Sequence, residues 1–292
     1  MVQKDFLEKL SFQLSNNLKS DTVVEKIRQV YGGDINETFV LSTSSGKFFL
    51  KVNSRTYQDM FEKEFNGLQA LQQADAIHIP QPILYGSFNS TIFLIMEYLE
   101  KGTPSNNFWE KFAKGLAGVH RKTQSQFGFK ENNYIGSLAQ QNNLTDDWPD
   151  FYTTQRIMPL VMQAYAQNKC TKEDVLKAER LCNRFSKLFP KEQPALLHGD
   201  LWSGNFMVND KGEAVIYDPA VYFGYREMDI AMTFLFGGFD KSFYGHYNEI
   251  FPLQKGWEER ISLCQLYPLL VHSILFGGHY YSGVMNIIRS FL

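Results

Sequence analysis

The stretch Leu196-Leu197-His198-Gly199-Asp200-Leu201-Trp202-Ser203-Gly204-Asn205, with Ile216-Tyr217-Asp218-Pro219 behind it, decides how the rest of the chain is read. Asp200 and Asn205 stand five apart after an apolar lead, and Asp218 follows 18 residues after Asp200. Phosphoryl transfer asks for such a set: one Asp accepts the proton of the attacking hydroxyl, while an Asn five residues on and an Asp at the next strand hold magnesium at the phosphates. Five residues let one loop turn back, so that base and metal ligand face the same phosphate. An Asp-x4-Asn spacing alone is weak, because Asp, Gly and Asn also make ordinary turns between strands. The His-Gly lead and the strand ending in Asp218 make it specific.

Outward from that stretch, the 292 residues suffice for two lobes and a sizeable core. With 44% hydrophobic and 21% charged residues, the composition is that of an ordinary soluble globular protein. Lys plus Arg is 29 against 31 Asp plus Glu, a formal charge of -2, which supports neither a nucleic-acid groove nor a polybasic membrane patch. An anionic substrate must then be held by local residues and metal. Cys170, Cys182 and Cys264 are few, odd in number and far apart, against a disulfide framework or a Cys-ligated zinc and in keeping with a reducing cytoplasm. Residues 1–10 mix charges with apolar residues and lack a signal-peptide core. Tyr267 to Ile288 is apolar but interrupted by His272, Gly277-Gly278 and His279, so it reads as core-facing helix rather than a membrane span.

The periodicity predicts a helix over 3–18, strands over 22–30, 37–43 and 47–52, and a helix over 60–72. Two more strands, 82–86 and 91–96, end at Glu97-Tyr98-Leu99. From Phe108 the patterns are mostly helical, apart from a strand pair around 205–217. The expected architecture is therefore α+β in two lobes: a small β-rich lobe, 1–99, and a larger, mainly helical lobe, 100–292, with Glu100 to Asn107 as junction. Residues 128–150, long, polar and aromatic, read as a functional loop.

Several residues of the first lobe are candidates for a nucleotide site. Gly32, Gly33 and Asn36 sit between two strands, where glycines let backbone N–H groups approach phosphate; a Gly-Gly-Asp turn needs no ligand, however. Lys51 ends its strand and Glu64 lies 13 residues on, in helical register with Phe61 and Phe65. A strand Lys reaching the α- and β-phosphates and a helix Glu orienting it would use such a pair, although either residue alone reads more readily as a solvated charge. Glu97, Tyr98 and Leu99 can offer backbone groups to an adenine edge. His198 reads as a packed histidine that hydrogen-bonds the loop. No His/Cys cluster has transition-metal spacing, and Ser203 lacks a Gly-x-Ser-x-Gly setting.

On these residues the chain resembles the fructosamine (ketosamine) 3-kinases, relatives of aminoglycoside and choline kinases with a protein-kinase-like fold. His198 to Asn205 is similar to the family's catalytic loop, with Trp202 where aminoglycoside and choline-type kinases usually carry another residue. The likeness continues through Asp218-Pro219-Ala220, Gly224 to Met232 and Leu235 to Phe239. It includes Phe127-Gly128-Phe129, Asn133-Tyr134-Ile135-Gly136, Gln140, Asn142, Trp148, Phe151 and Arg156. The resemblance implies ATP- and Mg2+-dependent phosphorylation of the 3-hydroxyl of a ketosamine, free or on a protein, after which the adduct is shed. It implies Asp200 as base, Asn205 and Asp218 as metal ligands, Lys51 and Glu64 as the nucleotide pair, and Asp229 as a brace of the catalytic loop. Trp202, Asn133, Trp148 and Arg156 are then candidate sugar contacts, with Trp148 and Phe151 equally readable as core.

Some relatives carry a redox-sensitive Cys in the glycine loop; Gly32 to Asn36 has none, so no such switch is expected. Two alternatives stay open at this stage. One is an aminoglycoside- or choline-type kinase, against which Trp202 and Asn133 to Gly136 speak. The other is a nucleotide-binding pseudokinase, against which Lys51, Glu64, Asp200, Asn205 and Asp218 speak together. Oligomeric state, ketose preference and the number of ions are not legible.

Overall fold

The computed structural model describes residues 4–30 and 35–292, so Gly32 and Gly33 lie outside the described residues. Helix α1 (Lys4–Leu18) precedes strands β1 (Val24–Val30), β2 (Glu37–Thr43) and β3 (Gly46–Ser54). Helix α2 (Met60–Gln72) follows, then β4 (Pro82–Phe88) and β5 (Thr91–Glu97). The strands form one antiparallel sheet in the order β1-β2-β3-β5-β4. Side chains alternate across a strand, and here both faces are covered. Phe48, Leu50, Phe93 and Ile95 pack with Phe6, Leu10 and Leu14 of α1. Ile92, Leu94 and Met96 pack with Met60, Phe61 and Leu68 of α2. Lys51, one residue past Leu50, is therefore carried onto the α2 face.

The rest is mainly helical. Helix α3 (Phe108–His120) leads to a small hairpin, β6 (Asn133–Ile135) and β7 (Leu138–Gln140). Helix α4 (Trp148–Phe151) runs through a π-helical turn, Tyr152–Ile157, into α5 (Met158–Ala166). Helices α6 (Lys172–Cys182) and α7 (Phe185–Leu188) come next, and then four short strands: β8 (Ala195–Leu197), β9 (Phe206–Val208), β10 (Ala214–Ile216) and β11 (Tyr222–Gly224). The chain closes with α8 (Glu227–Leu235), α9 (Lys241–Ile250), α10 (Trp257–Leu275) and α11 (Tyr280–Ser290). β9 pairs with β10, and β8 with β11, each antiparallel. Among the described residues no helix is long and apolar enough to cross a membrane.

Two expectations change. Residues 128–150 are ordered structure rather than loop, with the β6–β7 hairpin between α2 and the chain after Asp218 and Trp148 buried in the core. Tyr267 to Ile288 is not one helix: α10 and α11 are separated at Gly277 and Gly278, both with positive φ (68° and 67°). Inside α10, Pro268 cannot donate to the carbonyl of Cys264. The Tyr152 hydroxyl, bonded to Leu263 O at 2.8 Å, also reaches that carbonyl at 3.5 Å.

Candidate active site

β3 and α2 assemble the first half of the site. Lys51 is 3% exposed, and its Nζ lies 2.6 Å from Glu64 Oε1 and 2.5 Å from Asp218 Oδ1. Burial works against the ammonium, but the charges of Asp218 and Glu64 outweigh it and hold the Lys51 pKa above its ordinary value. The lysine is thus a fixed cation with a carboxylate from each half of the molecule.

The loop that follows β8 is the second half. β8, paired to β11, delivers His198, Gly199 and Asp200 to the end of a buried strand. Gly199 has φ +83°, and a Cβ there would lie 2.1 Å from the carbonyl oxygen of Ala220, so glycine is required. His198 is fully buried; its Nε2–H donates to Tyr217 O (2.9 Å) and its Nδ1 accepts from the Asp200 amide (3.3 Å). Burial pushes the His198 pKa down, in keeping with a neutral ring that ties the loop to the strand before Asp218. The Ala220 amide closes the same junction on His198 O at 2.9 Å.

Asp229, from α8, lies beneath the loop. It accepts the amides of His198 (2.7 Å) and Gly199 (2.9 Å), and His120 of α3 donates to it at 3.2 Å. Burial opposes its charge, but His120 and the loop amides hold its carboxyl below the usual range. Asn205 turns back as its spacing requires, with Nδ2 donating to Asp200 O (2.8 Å) and Asp200 Oδ2 (3.0 Å). Its carbonyl oxygen accepts no hydrogen bond from the described residues. Burial pushes the Asp200 carboxyl up to about 7; the Asn205 hydrogen bond pulls the other way, and the charges of Asp218 and Asp229 add to burial. This elevation comes from packing around the loop, which no spacing of residues encodes.

Asp218 has φ +58°, an uncommon setting for a side chain other than glycine. Its Oδ1 receives Lys51, and its side chain keeps 37% of its exposure. A free amide oxygen on Asn205 and an exposed carboxylate on Asp218 form a hard-oxygen pair suited to Mg2+. At the junction, Glu97 still belongs to β5, while Tyr98 and Leu99 have left the sheet. Asn36 has its Oδ1 taken by Asn53 at 2.7 Å, which leaves its own amide protons to donate.

The four candidate sugar contacts separate. Trp202 stays partly exposed beside Asp200, its ring edge-on to Phe236 at 5.5 Å, and Phe236 contacts His272 of α10 at 4.9 Å. A Cβ on Gly204 would lie 2.3 Å from the Trp202 ring, so the indole covers that glycine. Phe236 and His272 were not singled out from sequence; the glycine pair following Phe236 was the available signal. The other three are interior, which corrects their reading as substrate contacts. Trp148 (3% exposed) stacks among Phe151, Tyr152 and Tyr225. Arg156 (0%) is sealed over Tyr222 (4.1 Å) and bonded to Asn142 Oδ1 (2.7 Å) and Gln141 O. Asn133 spends its amide on Val221 O at 2.7 Å.

With this geometry in view, the comparisons are direct. The fructosamine kinase family pattern matches residues 6–292. The chain belongs to the fructosamine kinase family. It is 38% identical over 268 residues to a protein of Enterococcus faecium described as a probable ketoamine kinase, covering 91% of this chain and 95% of that one. It is 37% identical to a rice protein-ribulosamine 3-kinase, chloroplastic, over 93% of this chain and 80% of the relative. A solved fructosamine-3-kinase candidate from Haemophilus somnus superposes with a TM-score of 0.88 at 28% identity, covering 97% and 96% of the two chains. An aminoglycoside phosphotransferase in complex with ADP and hygromycin B, 17% identical with a TM-score of 0.63, shares the fold over 97% and 98% of the chains. The α+β, two-lobed, protein-kinase-like fold expected from the sequence is the fold of this fructosamine kinase.

Proposed function

We propose that this kinase transfers the terminal phosphate of ATP to the 3-hydroxyl of ketosamines, with the roles divided as the site suggests. The observation that carries the reading is that Lys51, Glu64 and Asp218 meet in one ion cluster, while Asp200, bonded to Asn205, lies close enough for the charge of Asp218 to act on it. Lys51, aligned by Glu64, binds the α- and β-phosphates as a point charge. Asp200 accepts the proton leaving the 3-hydroxyl, and a carboxyl raised to about 7 is well matched to that exchange near neutral pH. Asn205 and Asp218 would hold Mg2+, which would neutralise charge on the phosphates. Asp229 and His198 keep the loop rigid, so that attack proceeds from a fixed distance. Trp202, backed by Phe236 and His272, offers the apolar face of the sugar an aromatic surface next to the base.

Gly32, Gly33 and Asn36 at the phosphates and Glu97 to Leu99 at the adenine edge complete the nucleotide site in this reading. The lobe division at residues 99 and 100 and a cytoplasmic location belong to the same proposal. Phosphorylation at the 3-hydroxyl makes the adduct labile, so the reaction is the first step of deglycation. The names of the relatives, a ketoamine kinase and a ribulosamine 3-kinase, support the acceptor class.

The test is an acceptor panel under ATP turnover, with ribulosyl- and fructosyl-lysine set against aminoglycosides and choline, and the phosphate located on the product by NMR. Phosphate on the ketose 3-hydroxyl, absent without Mg2+, is the expected result. Turnover confined to aminoglycosides or choline would overturn the acceptor assignment.

A further inference from the structure

The polar insert of residues 131–142 is left without a role once Asn133 is withdrawn from the sugar site. It lies between two elements that the reaction needs fixed, α2 with Glu64 and the chain following Asp218. On the α2 side, Glu131 accepts Lys63 Nζ (2.6 Å) and Asn66 Nδ2 (2.9 Å), and the Tyr134 hydroxyl donates to Asp59 Oδ1 (2.6 Å). These three partners stand one residue before α2 and at its fourth and seventh positions, on either side of Glu64 in the sequence. On the other side, Asn133 Nδ2 donates to Val221 O (2.7 Å) and Gln140 Nε2 to Ala220 O (3.1 Å). Those carbonyls belong to the second and third residues after Asp218.

The two sides are joined inside the hairpin. Gln140 Nε2 also donates to Asn133 Oδ1 (2.8 Å), which takes a second bond from Asn142 (3.0 Å), and Tyr267 of α10 donates to Gln140 Oε1 (2.8 Å). Asn133, Gln140, Asn142 and Tyr267 are all buried. A buried amide network with its groups paired is rigid, and breaking one member leaves others unpaired in a low-dielectric interior. Helix α2 and the segment also meet directly: a Cβ on Gly67 would lie 3.3 Å from Val221 and 3.6 Å from Pro219.

We propose that residues 131–142 are a built-in clamp that positions Glu64 and Asp218 together, with Asn133, Gln140, Glu131 and Tyr134 as positioning residues. The carboxylates that meet Lys51 from two sides are then held in register by one hairpin. This rests on the kinase reading above and adds the means by which its two halves are aligned.

Gln140→Ala and the paired change Glu131→Gln with Tyr134→Phe test the two sides separately. Four readouts apply: Mn2+ affinity by electron paramagnetic resonance in the presence of a non-hydrolysable ATP analogue, affinity for that analogue in EDTA, amide hydrogen exchange at residues 220–223 without any ligand, and kcat with ribulosyl-lysine. Gln140→Ala should weaken Mn2+ about tenfold, the scale of one buried hydrogen bond, and speed exchange at 220–223. Affinity for the analogue in EDTA should stay within about twofold, because the adenine and Lys51 contacts are untouched. The paired change, which lies on partly exposed side chains and keeps the fold if Gln140→Ala does not, should weaken the analogue about threefold and lower kcat. Folded variants with Mn2+ affinity, analogue affinity and kcat all within twofold of the parent, whatever their melting temperature, would reduce the hairpin to filler and overturn the clamp. A parent inert on ketosamines but showing the expected Mn2+ and exchange changes in Gln140→Ala would support the clamp and refute the acceptor assignment.

Discussion

Lys51 and Arg156 are both buried cations in a family-matching stretch, and they are held in opposite ways. Lys51 meets two carboxylates, the buried Glu64 and the partly exposed Asp218. Arg156 has no ion-pair partner among the described residues: its guanidinium rests on Tyr222 and Phe151 and bonds to an amide oxygen and backbone carbonyls. A partly exposed carboxylate such as Asp218 can exchange partners, whereas rings and carbonyls sealed in a core cannot. In the proposed reading, the cation that serves a ligand has one neighbour, Asp218, that can let go. One intended for the fold is surrounded by groups that cannot.

The largest effects should fall on the Lys51 side. Asp200→Asn should lower kcat by about 100-fold or more, the usual contribution of a positioned proton acceptor, while leaving nucleotide affinity nearly intact in calorimetry. Lys51→Met should lower kcat/KM for ATP by about 100- to 1000-fold, comparable to losing one preorganised charge-stabilising donor. A loss below tenfold in either would remove that residue from the reaction.

Arg156→Met sharpens the contrast from the other side. It leaves Asn142 Oδ1 and Gln141 O unpaired and should cost about 2–4 kcal/mol in urea unfolding. KM for the ketosamine should stay within about twofold; a large rise in KM with stability unchanged would restore Arg156 to the substrate site.

Asp229 gives a smaller, pH-dependent effect. Its folded carboxyl lies below the usual range, so its contribution to stability is complete above the unfolded value of about 3.9 and fades as pH falls through the lower folded value. The stability gap between the parent and Asp229→Asn should therefore be wide at pH 6 and narrower near pH 3 in urea titrations. A gap independent of pH would mean that the carboxylate charge contributes nothing. The smallest effect belongs to Lys47, whose pair with Glu100 is open to water; Lys47→Ala should leave the melting temperature unchanged within measurement error.

What could be read from sequence followed from local physics. The Asp-x4-Asn turn is set by chain geometry, and the sheet strands by alternation. Register with Phe61 and Phe65 distinguishes Glu64 from its neighbours Glu62 and Lys63. The misreadings share one cause, since a polar or aromatic residue in a motif looks the same whether it faces a ligand or another chain segment. Asn133 and Arg156 satisfy backbone carbonyls over distances of 88 and 15 residues, and Trp148 fills an aromatic core. Phe236 and His272 were missed for the complementary reason: tertiary packing sets Phe236, just after α8, against Trp202, and His272 of α10 against Phe236, which no spacing encodes.

The indole of Trp202 lying across Gly204 constrains how this loop can diverge. Adding even a methyl at 204 would evict the ring, while exchanging the ring first would strip a cover from the glycine. With a smaller side chain at 202, position 204 has room for a Cβ; with the indole in place, a Cβ there displaces the ring from its position beside Phe236.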